Sequence, residues 1–88
     1  MIVWDEPKRL ANIDAHGLDF ADADSFDWEG ALNIPTYASR LGRQRWKALG
    51  RLGDTIIVII YSPLGDEAIS IVSMRPASLK ERRLFDGT

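Results

Sequence analysis

Three strand-like segments joined by very short links occupy the second half of the chain and constrain its fold most. They are residues 43–52, 55–61 and 68–75: the first alternates cations with apolar side chains, and the second is rich in branched residues. Gly53-Asp54 links the first pair, and the turn-forming residues 62–66 link the second. Links this short join antiparallel neighbours, so the pattern predicts an antiparallel meander. The consecutive branched residues of the middle segment predict a central strand that is buried on both faces.

The first third of the chain carries helical signals. Ile2-Val3-Trp4 predicts a short first strand. Asp5 as an N-cap and Pro7 in the first turn predict a helix that ends at Gly17. A second helix is expected to begin near Asp19, where an apolar stripe repeats every third residue. The stripe consists of Phe20, Ala23 and Phe26.

The remaining elements complete an α+β prediction. Residues 31–34 predict a short strand closed by a proline, and residues 35–42 an exposed loop. The capping-box pattern of Ser78 and Glu81 begins a short C-terminal helix. We therefore expect a single domain over residues 1–88: a four-stranded antiparallel β-meander sheet with two N-terminal helices on one face and a short C-terminal helix. The expected core includes Phe20, Trp46, Ile57 and Ile59.

The composition excludes several classes of site. The chain has no cysteine, which excludes a disulfide scaffold, a thiolate metal site and a cysteine nucleophile. It has no phosphate-binding glycine loop and no His/Asp/Glu cluster at metal spacing, so neither a metal nor a cofactor is expected. The longest apolar run, residues 56–61, is too short to span a bilayer. With no signal-peptide pattern, these features predict a cytoplasmic protein without a membrane partner.

Charge is distributed unevenly along the chain. Residues 1–29 carry two cations against eight acids, a net charge of −6, whereas residues 30–88 carry nine cations against five acids, a net charge of +4. If residues 43–52 form a strand rather than a helix, which also fits part of them, their cations line one face: Arg43, Arg45, Lys47 and Arg51. Such a row suits a sugar–phosphate backbone, and the alternative is a charged edge strand that resists aggregation.

Further cations follow the last predicted strand and favour the polyanion site. Arg75 ends that strand, and Lys80, Arg82 and Arg83 lie on the C-terminal helix. Together with the basic strand they predict a cationic concavity at the end of the sheet. The chain also has one histidine, His16, and an imidazole suits proton transfer near neutral pH. The alternative for His16 is that it ends the first helix, where the helix dipole favours a cation.

Several motifs resemble those of the BrnT toxins, the ribonuclease halves of BrnT/BrnA toxin–antitoxin pairs. In the first part of the chain these are Trp4-Asp5-Glu6, Lys8, Asn12, His16-Gly17-Leu18 and Phe20-Ala21-Asp22-Ala23. In the second part they are Arg45, Leu49-Gly50, the segment Ile56–Tyr61, Ile71-Val72-Ser73-Met74-Arg75, Ala77 and Glu81-Arg82. The motifs span nearly the whole chain in the order and spacing of that family.

The resemblance implies a RelE-like fold and a metal-independent endoribonuclease that inhibits translation by cleaving RNA. A metal-free ribonuclease needs a proton-transfer group and cations for the charge that develops on the phosphate, so the expected catalytic residues are His16 as base or acid, Arg45 and Arg75 as phosphate clamps, and Arg82 as an assisting cation. The other cations of the basic strand and the C-terminal helix are the expected RNA-binding residues: Arg43, Lys47, Arg51, Lys80 and Arg83. It also implies neutralisation by a BrnA-type antitoxin, through which alone the complex would contact DNA.

The chain departs from the family pattern at four positions. Ala15 and Ser70 stand where the family commonly has Lys and Arg, Pro76 where it often has a basic residue, and Phe85 where it usually has Tyr. Cations and a phenol of this kind stabilise the transition state in phosphoryl chemistry. These departures suggest the alternative of a degenerate toxin that acts as an antitoxin-binding module and transcriptional co-repressor.

Overall fold

A computed structural model describes residues 1–37 and 42–87 of the chain. The elements are β1 (Ile2–Trp4), α1 (Glu6–His16), a 3₁₀ helix (Phe20–Ser25), β2 (Leu32–Thr36), β3 (Arg45–Leu52), β4 (Thr55–Leu64), β5 (Ala68–Pro76) and α2 (Leu79–Asp86). The expected α+β class is confirmed. Within the loop expected over residues 35–42, positions 38–41 lie outside the described residues.

The described strands form one mixed sheet in the order β1-β5-β4-β3-β2. Strands β2 to β5 make the expected antiparallel meander. The four-stranded prediction is wrong, because β1 adds a fifth strand parallel to β5, with Ile2 opposite Ile69 and Trp4 opposite Ile71. The helices carry the chain from this edge of the sheet to the other, so β1 cannot be a hairpin neighbour of β2 and pairs with β5 instead.

The first helix begins and ends at the predicted residues. The Asp5 carboxylate accepts the backbone N–H of Lys8 at 3.2 Å, which satisfies one of the unpaired N–H groups of the first turn. Gly17 ends the helix with φ of 69°, a left-handed conformation that favours glycine, and its N–H donates to the Ile13 carbonyl oxygen. Only Asp5, the N-cap, therefore separates β1 from a helix that is capped at both ends.

The second expected helix is a 3₁₀ helix of six residues. Its period of three matches the 3.0 residues per turn of a 3₁₀ helix, so Phe20 and Ala23 both point into the core and are fully buried. Phe26 follows and packs against β3 at Gly50, where a Cβ atom would lie 2.8 Å from the Phe26 ring. The apolar stripe thus indicated the buried face correctly and the type of helix incorrectly.

Several strand ends differ from the predictions. Strand β2 continues through Pro35, because it is an edge strand whose outer side needs no N–H donor. Strand β4 continues through Pro63 for a related reason: β3 pairs with it only as far as Tyr61, so no described residue pairs with the next residues of β4 on that side. Strand β3 begins at Arg45, which leaves Arg43 in the segment that precedes it.

The core confirms the central position of β4. Ile57, Val58 and Ile59 are all fully buried, as expected for a strand covered on both faces. Trp46 is only half-buried, contrary to the prediction. Phe26 bridges to Leu52, so it covers the end of β3 opposite to Trp46.

Helix α2 lies on the other face of the sheet. The predicted capping box is confirmed: Ser78 Oγ accepts the N–H of Glu81 at 3.1 Å, and the Glu81 carboxylate accepts the N–H of Ser78 at 2.9 Å. Strand alternation separates this face, with Lys47 and Arg75, from the core face, with Ala48 and Met74. Within the described ranges no helix is long and apolar enough to cross a membrane.

Candidate functional site

Cations from two strands share the face of the sheet that α2 covers. Strand alternation places Arg45, Lys47 and Arg51 of β3 on this face, as predicted for a basic strand. Leu49 alternates with Lys47 and Arg51 on this face and pairs with Val58 of β4. Val58 also pairs with Arg75 of β5, so Arg75 lies on the same face. Strands β3 and β5 do not pair with each other, since β4 lies between them.

Glu81 of α2 bridges these two strands. Its carboxylate receives two guanidinium N–H groups of Arg75, Nη1 to Oε1 at 2.7 Å and Nη2 to Oε2 at 2.9 Å. Lys47 Nζ donates to the same Oε2 at 3.1 Å. Glu81 is 9% exposed, so these hydrogen bonds are largely shielded from water. The geometry therefore holds a guanidinium and an ammonium within hydrogen-bond distance of one oxygen atom.

The electrostatics of this cluster keep Glu81 and Arg75 charged. The hydrogen bonds from Arg75, followed by those from the Ser78 N–H and Lys47, hold the pKa of Glu81 far below its ordinary value despite burial. The same bonds to Glu81 raise the pKa of Arg75. At neutral pH the cluster of Arg75, Lys47 and Glu81 therefore carries a net charge of +1.

An open groove of about 760 Å³ lies beside this cluster, between the sheet and α2. It is lined by Lys47, Arg75, Ser78, Lys80, Glu81, Arg83 and Leu84. Four of the residues predicted from the sequence line it: Arg75, Lys47, Lys80 and Arg83. Four cations against one carboxylate make it a strongly basic groove, which is the arrangement expected of a polyanion site.

Other predicted residues lie on or near the same face without lining the groove. Arg45 is half-buried at the start of β3, and its Nε atom is buried with no hydrogen-bond partner among the described residues. Arg51 stands near the opposite end of β3, with its guanidinium carbon 5.5 Å from the centre of the Phe85 ring. Arg82 is exposed on α2, and Arg43 is exposed before β3.

His16 does not line the groove. It lies exposed in the last turn of α1, as expected from the alternative in which it ends the first helix. Within the described part of the chain its side chain makes no hydrogen bond or ion pair. The structure thus provides no contact that would orient its imidazole.

Glu81 is the site residue that the sequence prediction missed. Its capping-box pattern with Ser78 indicated a helix start, and that local role explained the residue completely. A second signal was present in the spacing: Arg75 ends the preceding strand only six residues earlier, so a glutamate in the first turn of the helix can reach back to it. Reading the pair together would have predicted the ion pair.

A second groove, of about 450 Å³, involves side chains of the core face. Its lining includes Trp28, Tyr61 and Pro63, with Asp66 and Glu67 at one end. Among the described residues no arginine or lysine lines it, so the charges favour the first groove as the polyanion site. Among residues 1–37 and 42–87 there is no group of three or more His, Asp or Glu side chains that could hold a metal ion.

Comparisons with known proteins agree on one family. The sequence model of the family described as "Ribonuclease toxin, BrnT, of type II toxin-antitoxin system" matches residues 4–81. The 1.1 Å crystal structure of the Brucella abortus ribonuclease toxin BrnT superimposes with a TM-score of 0.74 at 46% sequence identity, covering 88% of this chain and 95% of that one. No curated protein sequence matches the chain.

Proposed function

The chain belongs to the BrnT family of ribonuclease toxins of type II toxin–antitoxin systems, and we propose that it cleaves RNA, without a metal ion, in the basic groove between the sheet and α2. The resemblance described from the sequence is confirmed at the level of the family. The observation that carries the site assignment is the convergence of Arg75 and Lys47 on one oxygen of Glu81 at the wall of that groove.

The reaction that these residues suit is an internal transesterification. The ribose 2′-oxygen forms a bond to the adjacent phosphorus while the bond from phosphorus to the 5′-oxygen breaks. The 2′-hydroxyl proton passes to a base, and the departing 5′-oxygen takes up a proton. The products are a 2′,3′-cyclic phosphate and a 5′-hydroxyl. No redox partner or second substrate is needed. In the transition state negative charge builds up on the oxygens around the pentacoordinate phosphorus, and cations stabilise it.

We assign the phosphate clamp to Arg75 and Lys47. Arg45 and Arg82 keep the catalytic roles proposed for them from the sequence, although neither lines the groove. A planar guanidinium binds two phosphate oxygens with a geometry that an ammonium cannot reproduce, so Arg75 is the principal clamp. His16 lies outside the groove, and it keeps the proton-transfer role proposed from the sequence because it is the one imidazole of the chain.

The remaining predicted cations are assigned to the RNA backbone outside the clamp. Lys80 and Arg83 line the groove, whereas Arg43 precedes β3 and Arg51 lies near the other end of that strand. Contacts of this kind give affinity that is independent of sequence and falls as salt rises. They position the RNA strand while the clamp acts on one phosphate.

Membership of the family implies an antitoxin partner and an RNA substrate. We propose that the antitoxin is of the BrnA type, that it contacts the basic face, and that the complex reaches DNA only through it. Cleavage of cellular RNA would take place in the cytoplasm. The alternative of a degenerate toxin acting as a co-repressor is not supported by the comparisons.

Cleavage by the purified, partner-free protein in the presence of a chelator tests the proposed activity. We expect the RNA to be cut and the new ends to be a 2′,3′-cyclic phosphate and a 5′-hydroxyl. Arg75→Gln, which removes the clamp, is the negative control. Intact RNA with the wild-type protein, or products with a 3′-hydroxyl, would contradict the proposal.

A further inference from the structure

Arg75 and Lys47 belong to strands that are not neighbours, and Glu81 joins them. Strand β4 separates β3 from β5, so two cations on one face of those strands are not held together by the sheet, and their like charges repel. The Glu81 carboxylate spans this gap, with one oxygen shared between Arg75 Nη2 and Lys47 Nζ. Since Glu81 sits in the first turn of α2, the helix itself fixes where the two cations meet.

We infer that Glu81 is a positioning residue that couples Arg75 and Lys47 into a single clamp for one phosphodiester, and that it transfers no proton itself. The inference rests on the proposed function, since the clamp is assigned to the RNA substrate. It assigns a role to a buried acid that the proposed reaction otherwise leaves unused.

The hydrogen bonds around Glu81 leave its oxygens no capacity for a further proton. Oε1 accepts Arg75 Nη1 and the Ser78 N–H, and Oε2 accepts Arg75 Nη2 and Lys47 Nζ. Each carboxylate oxygen has two lone pairs, so all four are engaged. The low pKa of Glu81 agrees, because a carboxylate that strongly resists protonation is a weak general base.

The two cations keep donors for a ligand. Arg75 uses three of its five N–H groups, two on Glu81 and one on the Pro76 carbonyl oxygen at 3.3 Å. Lys47 uses one of its three N–H groups on Glu81. Each cation therefore retains two N–H groups that no described residue accepts, and four oriented donors suit the two non-bridging oxygens of a phosphodiester.

The charge of the cluster also fits that ligand. Arg75, Lys47 and Glu81 together carry +1, which balances the single negative charge of a phosphodiester. Without the carboxylate the charge would be +2, and the two side chains would separate. Glu81 therefore weakens the attraction of the cluster for an anion but fixes the arrangement of its N–H donors. Phosphoryl transfer depends on preorganisation of this kind.

A double-mutant cycle on RNA binding tests the coupling. The probe is an RNA oligonucleotide with 2′-O-methyl groups, which cannot be cleaved. In the protein with Glu81, we expect Arg75→Gln or Lys47→Gln each to weaken binding by about tenfold and the double variant to weaken it little more, because either change dismantles the shared clamp. In the Glu81→Gln background, the two losses should multiply.

The same cycle with Glu81→Asp serves if the Gln variant fails to fold. Aspartate keeps the charge but is one methylene shorter and cannot reach both strands, so the losses should again multiply. Glu67→Gln, the same change on an exposed turn, is the matched control and should leave the coupling intact. Equal coupling with and without Glu81 would overturn the inference.

Cleavage kinetics separate a positioning role from that of a base. We expect Glu81→Gln to lower kcat by about tenfold while the pH dependence of kcat/KM keeps its shape. Loss of the acidic limb of that profile would identify Glu81 as the base and contradict the inference. Wild-type protein that binds RNA without cutting it would contradict the proposed function alone, whereas wild-type protein that binds no RNA would contradict both.

Discussion

The side-chain oxygen of Asn12 accepts the backbone N–H of Met74 at 3.1 Å, across the stretch of β5 that β1 does not reach. Strand β1 pairs with β5 only as far as Ile71, so the N–H of Met74 would otherwise lie on an open edge of the sheet. The amide nitrogen of Asn12 donates to the Leu18 carbonyl oxygen at 2.9 Å. One buried side chain of α1 thus satisfies a backbone N–H at the sheet edge and a backbone carbonyl in the loop that leads into the 3₁₀ helix.

Asn12→Ala should therefore lower the free energy of unfolding by about 1–3 kcal/mol, because a buried N–H loses its acceptor. Urea unfolding measures the change. Asn33→Ala is the control, since Asn33 is exposed and accepts the Tyr61 hydroxyl at 2.8 Å; its cost should stay within about 1 kcal/mol. Equal losses for the two variants would contradict the role given to Asn12.

Truncation of the central strand should be more costly. Ile59 is fully buried within the core cluster, so Ile59→Ala should lower the free energy of unfolding by about 2–5 kcal/mol. Leu10→Ala, on the exposed side of α1, is the matched control and should change stability little. An unchanged urea midpoint for Ile59→Ala would show that β4 is not the centre of the core.

Local patterns predicted most of the fold. Alternation and hairpin-length links gave the meander, and caps gave the bounds of α1, from Asp5 to Gly17. The parallel partner of β1 was beyond such reasoning, because pairing across more than sixty residues of sequence leaves no local signal. Pro35 and Pro63 misled for a similar reason: whether a proline interrupts a strand depends on which of its sides is paired, and that is set by the whole sheet.

The candidate site was predicted less completely than the fold. Residue type and alternation were enough to select Arg75 and Lys47, since cations on one face of a sheet are visible in the sequence. The partner of those cations was missed, because Glu81 already had a sufficient local role as a capping residue. Which cations line one groove is decided by the packing of α2 on the sheet, and no pattern in the sequence reports that packing.

The buried carboxylate should make stability depend on pH in the acid range. The pKa of Glu81 in the folded protein lies well below its ordinary value of 4.5, so its stabilising effect is complete above that value and is lost as the pH falls below it. Wild-type protein should exceed Glu81→Gln in stability most clearly near neutrality, and the gap should narrow towards pH 3. Thermal unfolding across this range measures it, and a gap that widens on acidification would contradict the assignment.

Association with the antitoxin should depend on ionic strength. If the partner contacts the basic face, charge attraction accelerates encounter, and the association rate should fall as salt rises from low to physiological concentration. Lys80→Gln and Arg83→Gln should reduce both the rate and its dependence on salt. Lys8→Gln, an exposed change on α1, is the control. A rate insensitive to salt would place the contact elsewhere.

RNA cleavage should depend on the guanidinium of Arg75 more than on any other single cation. Pro76 is the next residue along the chain and carries no charge, so it cannot compensate for a lost guanidinium. Arg75→Lys keeps the charge and an ion pair with Glu81 but loses the paired geometry seen in the two bonds at 2.7 and 2.9 Å. The variant should fold normally and lose most of the cleavage activity, by about tenfold or more.

His16→Ala is the informative companion to that variant, because it leaves the groove intact. If His16 transfers a proton, its removal should flatten the pH dependence of the rate near neutrality, where an imidazole titrates, while RNA binding stays unchanged. Arg75→Lys should do the reverse, lowering the rate at every pH and preserving the shape of the profile. Cleavage by the purified, partner-free protein with chelator present measures both. Equal rates for wild type and the two variants would contradict the assignment of the site, and an unaltered profile for His16→Ala would leave the clamp in place and exclude the histidine from the chemistry.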